Sequence, residues 1–203
     1  MMKLATTWLF CLLLSDSAAA APDTILFAVN EGTSSSTDAV FRTDKYADLA
    51  RHLSAVVGKN VKMETSNILS IVIRNLERQR YDVLLIRPSH ISARAMREQG
   101  YRLLVAAKGE SKVHFLVKKD SPLKTLKDLE GRRFLYTKDK LPFWSVIVSP
   151  KVTEATATKL KQALLNLDKA PEGQEMLKKV GVPGFVEGNQ QAYLDMLKWV
   201  EGK

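Results

Sequence analysis

The chain has 203 residues, 45% of them hydrophobic, an ordinary globular balance that allows one large domain or two small ones. Its formal net charge of +9 favours anionic partners. The lysines are spread out rather than blocked together, which, with the export signal below, argues against nucleic acid.

The first segment reads as a secretory signal peptide rather than as part of the fold. Met1 to Lys3 is a short basic region, Leu4 to Leu14 is apolar, and Ala18 to Ala21 offers small residues for cleavage, expected after Ala20. A lipoprotein signal is disfavoured because Cys11 lies inside the apolar region, behind the bulky Trp8-Leu9-Phe10. Removing residues 1–20 takes away one basic and one acidic residue, Lys3 and Asp16, so the charge is unchanged. It also takes away Cys11, the single cysteine, and with it any disulfide, thiolate metal site or thiol nucleophile. No later stretch is apolar enough to span a membrane, and a cysteine-free exported chain suits a bacterial periplasm.

Ile25 to Val29 is a continuous apolar run, read as a first buried strand. The loop Asn30 to Thr37 after it is rich in hydroxyls and holds Gly32; it reads either as a donor loop for an anion or as a plain linker. Asp44 to Val57 has apolar residues at helical spacing, with Thr43 or Asp44 as cap and Gly58 as stop. His52 beside that stripe reads as a satisfied, half-buried histidine. Lys59 to Thr65 alternates as a strand at or near an edge, and Ser66 or Asn67 is placed to cap a helix running to Leu76.

Tyr81-Asp82-Val83-Leu84-Leu85-Ile86 then runs into Arg87-Pro88-Ser89-His90 and a helical pattern ending before Gly100. A buried strand that ends in a polar turn and opens a helix is how open α/β sheets present a ligand site. Helix-start N–H groups would face an anion there, with Arg87, Ser89 and His90 around it. An ordinary turn with Ser89 as N-cap is the alternative, and from these residues alone both stand.

Arg102 to Ala107 is a fourth strand, and the succession so far implies a mainly parallel sheet flanked by helices, an α/β class. Lys112 to Lys119 reads as a strand, Leu123 to Leu129 as a short helix, Arg132 to Tyr136 as a strand, and Leu141 to Val148 as another. The last third is helical: one helix through Leu160 and Leu167, one opened by Pro171 and closed by Gly181, and one carrying Tyr193, Met196 and Val200.

No nucleophile elbow, metal-spaced histidines or phosphate-cradling glycine-rich loop is present, so the chain reads as a binder rather than an enzyme, with no cofactor and no metal. The Asn30 to Thr37 loop and the Arg87 to Ser89 turn both follow parallel strands. They can therefore converge on one crevice, with Trp144 or Tyr136 covering it or lying in the core.

Several stretches together resemble the periplasmic substrate-binding components of phosphate, phosphite and phosphonate ABC transporters. They are Tyr81 to His90, Val117 to Gly131, Leu141-Pro142-Phe143-Trp144-Ser145 and Asp168 to Gln174. The resemblance implies a type II periplasmic-binding-protein fold: two α/β lobes that close on a ligand, joined by hinge strands. Here Lys112 to Lys118 and Phe143 to Val148 look like those strands. The implied division is a signal peptide over 1–20, a first lobe with its hinge strand over 21–118, a remnant second lobe over 119–140, and the returning strand with helices packing on the first lobe over 141–203. The remnant is too short to bury a core of its own, so the second lobe is truncated. The family's Gly-Pro-aromatic turn is here Arg87-Pro88-Ser89-His90.

The resemblance implies a periplasmic solute-binding protein that takes a phosphate, phosphite or phosphonate anion and docks on an ABC permease, with no nucleic acid and no stable membrane insertion. Glu31, Gly32, Thr33, Ser34, Arg87, Ser89 and His90 are the expected ligand-facing residues. Arg87 supplies charge and the others hydrogen bonds, except Glu31, which either meets a cationic ligand group or orients Arg87. The alternatives are an interaction or sensory module that presents the open lobe to a protein such as a sensor kinase, and a deletion product without ligand binding.

Overall fold

The computed structural model of the chain describes residues 24–32, 39–109, 119–131 and 142–201. The chain opens with β1 (Thr24–Asn30), α1 (Ala39–Val57), β2 (Asn60–Thr65) and α2 (Leu69–Glu77). It continues with β3 (Val83–Ile86), α3 (Ser89–Glu98) and β4 (Arg102–Ala107). A 3-10 turn (Leu126–Leu129) precedes β5 (Ser145–Val148), α4 (Glu154–Asn166), α5 (Pro171–Val180), β6 (Phe185–Val186) and α6 (Gln190–Val200).

The strands form one sheet in the order β2-β1-β3-β5-β4-β6. β1 pairs in parallel with β2 and β3, whereas β5 runs antiparallel to both β3 and β4, and β6 antiparallel to β4. The strands β1 to β4 therefore all point one way, and the two late strands return between and beside them. The carboxyl ends of β1, β2, β3 and β4 share one edge with the start of β5.

Both sheet faces are covered, which is why the inner strands β1, β3 and β5 read as apolar runs, whereas the edge strand β2 alternates. Side chains still alternate by the pleat. Phe27, Val83, Leu85 and Val146 face α1, α4 and α5, in a cluster with Leu53, Leu160 and others. Ala28, Leu84, Ile86 and Ile147 face α2, α3 and α6, with Ile91 and Tyr193 among the residues they meet. Full burial of one such Leu or Ile contributes about 1.5–3 kcal/mol. At the opposite edge Asp82 ties three strands together: its backbone N–H donates to Leu26, its carboxylate accepts from the Leu26 N–H at 2.8 Å, and its carbonyl accepts from Ser149.

The helix starts differ in detail from the sequence reading. α1 begins at Ala39 rather than Asp44. α2 takes Ile68 as its N-cap without a side-chain bond, while the Ser66 hydroxyl accepts from the Ile68 N–H instead. The segment read as a helix over Leu123 to Leu129 is a 3-10 turn closed by a Thr125–Asp128 capping box. Pro171 and left-handed Gly181 open and close α5 as expected. The strands expected at 112–119 and 132–136 lie outside the described residues, except Lys119, which stands in a turn.

The adjacent strands β4 and β5 are connected by residues 108–144 alone. A connection of that length cannot hold a second hydrophobic core. The fold is one periplasmic-binding-protein-like lobe with a truncated second lobe.

Candidate functional site

The carboxyl edge brings together the ends of β1 and β3. Asn30, the last residue of β1, is fully buried. Its amide donates to the Ser66 carbonyl at 2.7 Å and its side-chain oxygen accepts from the Gly32 N–H at 3.1 Å, while its backbone carbonyl accepts from the Arg87 N–H at 3.1 Å. One asparagine thus fixes the exits of β1, β2 and β3 relative to each other. Gly32 follows with φ +72°, and a Cβ there would sit 3.8 Å from Arg87 Cδ. The Gly32 backbone and the Arg87 side chain are neighbours.

Glu31 is 8% exposed and its carboxylate accepts from the Lys45 ammonium and from the Tyr46 hydroxyl. Burial alone would push this carboxyl up. The Lys45 and Tyr46 hydrogen bonds, with the positive charges of Lys45 and Arg87, outweigh it and hold the group below its ordinary value. Burial, and then the same contact with Glu31, push the Tyr46 phenol well up. Glu31 is therefore an ionised anchor already engaged with α1, and its charge also acts on Arg87.

Arg87 is exposed at the end of β3, and its guanidinium carbon lies 3.8 Å from the centre of the Trp144 ring. Among the described residues no carboxylate or carbonyl accepts a hydrogen bond from that guanidinium. Ser89 is the first helical residue of α3, with Pro88 as N-cap. Its hydroxyl donates to the carbonyls of Pro142 and Phe143, at 2.7 and 3.0 Å, so its proton is committed to the segment before β5. His90 is half-buried; burial, and then the charge of Arg94, push its imidazole below its ordinary value, leaving it neutral at pH 7.

The structure thus brings Glu31, Gly32 and Arg87 to one place and sets Ser89 and His90 on the helix start beside it. Thr33 and Ser34 lie outside the described residues. The sequence reading put Asn30 in the loop rather than at the end of β1, and missed Lys45 and Tyr46 as neighbours of the candidate site. Asn30, two residues before a glycine at the end of an apolar run, carried a turn signal; Lys45 carried none. His52 sits on a largely apolar groove of about 560 Å³ between α1, α4 and α5 that shares no residue with this edge. Among the described residues no cluster of His, Cys, Asp or Glu could hold a metal, and no helix is long and apolar enough to cross a membrane.

A sheet covered on both faces, with a buried polar staple and a cation at its carboxyl edge, is an α/β lobe whose candidate site lies where open α/β sheets take their ligands. The match to a known family agrees: residues 32–140 and 135–193 fit the model of the "ABC transporter, phosphonate, periplasmic substrate-binding protein" family, and the chain belongs to that family. It is a family of transporter binding components, not of enzymes.

Solved structures share the fold. XAC2383 from Xanthomonas citri bound to ATP aligns with a TM-score of 0.65 at 10% identity, covering 89% of this chain and 99% of that one. PhnD1 from Prochlorococcus marinus in complex with methylphosphonate gives 0.63 at 8% identity, over 89% and 98%. A binding protein component of an ABC phosphonate transporter from Pseudomonas aeruginosa gives 0.63 at 9%, over 86% and 84%. No curated protein matches the chain.

Proposed function

We propose that the chain is a periplasmic binding protein, exported by a cleaved signal peptide, that takes a small oxyanion of the phosphonate, phosphite or phosphate class between the ends of β1 and β3 and passes it to an ABC permease. The observation that carries this reading is Arg87. It replaces the glycine expected at this turn, stands beside Gly32, and has no acceptor for its guanidinium among the described residues. Its fork of coplanar N–H donors matches an oxyanion. Gly32, the first turn of α3 and the hydroxyls of Thr33 and Ser34 add donors. Glu31 acts through Arg87 rather than on the anion, Ser89 fixes the wall, and neutral His90 offers one ring N–H.

With the second lobe truncated, water reaches the ligand, and its ion pair with Arg87 is worth little compared with one in a closed clamp. Binding is accordingly weak. A thermal-shift panel tests the reading, because an anion at about 100 times its Kd stabilises the native state by about 2.7 kcal/mol. Methylphosphonate, phosphite and phosphate should raise Tm in the wild type and not in Arg87→Ala. No shift with any of them in the wild type would contradict it.

A protein partner on the same edge, a permease or a sensor-kinase domain, is the second reading. The truncated lobe favours it, as does Ile68, 57% exposed just beyond β2.

A further inference from the structure

A set of side chains crosses the carboxyl edge in the order of the strands. Beyond β4, Gly109 has φ +142°, and a Cβ there would meet Phe143 at 2.9 Å. Phe143 stacks on Trp144, with ring centres 5.2 Å apart and planes 13° from parallel. The Trp144 ring meets the Arg87 guanidinium at 3.8 Å, and the Arg87 stem lies against Gly32 beyond β1. A glycine at each end leaves room for the three larger side chains between.

The segment that carries the two rings is held by three elements. Tyr193 of α6 donates to the Phe143 carbonyl at 2.8 Å, Ser89 of α3 donates to Pro142 and Phe143, and the Ala107 N–H of β4 donates to the Trp144 carbonyl at 2.9 Å. The segment does not depend on a ligand to be placed.

We propose that Trp144 is a positioning residue for Arg87: its ring holds the guanidinium by one face and leaves the in-plane N–H edge free for the anion. This rests on the reading of Arg87 as the charge partner of the ligand. Arginine donors lie in the guanidinium plane, so stacking uses none of them. A free arginine side chain loses rotamer freedom when it binds, and holding it beforehand removes much of that cost. In a site open to water, where ion pairs are weak, such preorganisation is a large share of the affinity.

Two measurements on the full mature chain test this. The first needs no ligand: nitrogen-15 NMR of the arginine side chains should show the Arg87 Nε–H shifted upfield by the ring current. The shift should be lost in Trp144→Leu and largely kept in Trp144→Phe. An Arg87 signal that is the same with and without the ring overturns the proposal.

The second is titration with methylphosphonate. Trp144→Leu should bind about fivefold more weakly and Trp144→Phe within about twofold of the wild type, the scale of a cation–π contact. If Trp144→Leu fails to fold, the wild-type Nε–H shift and the Trp144→Phe variant decide. Equal affinity in the wild type and Trp144→Leu removes the role of Trp144 and leaves Arg87 as ligand partner. A wild type that takes no methylphosphonate removes both.

Discussion

The Ser145 hydroxyl donates to the Ser92 hydroxyl at 2.7 Å, and both side chains are fully buried. Ser92 in turn donates to the Ser89 carbonyl at 2.8 Å. The start of β5 is thereby tied to the first turn of α3, the helix that stands behind Arg87. The two hydroxyls are not equivalent. Ser92→Ala leaves the Ser145 proton buried without an acceptor, at a cost of about 1–3 kcal/mol, whereas Ser145→Ala spares the Ser92 bond to Ser89 and costs about 0.5–1.5 kcal/mol. Urea unfolding should rank Ser92→Ala as the more damaging change. The reverse order would mean that the proton runs the other way.

Glu31 gives the site a pH dependence with a definite sign. Its carboxyl is buried yet held below its ordinary 4.5 by Lys45 and Tyr46. A group depressed in the fold binds its proton more tightly when unfolded. Its stabilising contribution is full above pH 4.5 and is lost as pH falls through the lowered native value. Glu31→Gln should cost about 2 kcal/mol at neutral pH. It should also flatten the loss of stability on the acid side, and denaturant titrations at several pH values between neutral and acid check both. An acid slope identical to that of the wild type would show that Glu31 is not ionised in the fold.

Asn30 should tolerate little change. Asn30→Ala leaves the Ser66 carbonyl and the Gly32 N–H without their side-chain partner, a loss of about 1–3 kcal/mol. Asn30→Asp turns a carboxylate oxygen towards the Ser66 carbonyl and should be worse at pH 7 than at a pH low enough to protonate it. Thermal unfolding at the two pH values reads this directly. Indifference of Tm to both changes would show that the staple is not what fixes the strand exits.

Gly173 in α5 breaks the usual helix rule. An interior Gly→Ala normally stabilises a helix by about 1 kcal/mol. Here the added Cβ would fall 1.9 Å from the Leu167 carbonyl oxygen in the turn before α5. Backbone would have to move, and overpacking of this kind costs about 1–3 kcal/mol or more. Gly173→Ala should therefore lower the urea midpoint; a rise would mean that α5 shifts freely on that turn.

The sheet was legible in the sequence because β1 and β3 are buried on both faces and read as unbroken apolar runs. The last two helices were legible because Pro171 and Gly181 bound α5 and the apolar spacing of Tyr193, Met196 and Leu197 marks α6. The site was legible only where it is local. Arg87 and Gly32 stand out at strand exits, whereas the contact of Lys45 in α1 with Glu31 follows from no spacing rule. Ser89 looked like a cap or a ligand donor because its actual acceptors, the carbonyls of Pro142 and Phe143, lie more than fifty residues away in the chain. β6, of two residues, is too short to leave a pattern.

Calorimetric titration of the mature chain with methylphosphonate, set beside Arg87→Ala, tests the account at its centre. An open one-lobed site should give weak, saturable binding, with a Kd above the micromolar range that corresponds to about −8.2 kcal/mol. Arg87→Ala should abolish it while the chain still unfolds cooperatively, with Tm lowered only by the loss of the Trp144 contact, about 0.5–1 kcal/mol. Micromolar or tighter binding by the monomer would contradict the open site, and undiminished binding by Arg87→Ala would contradict Arg87 as the residue that holds the anion.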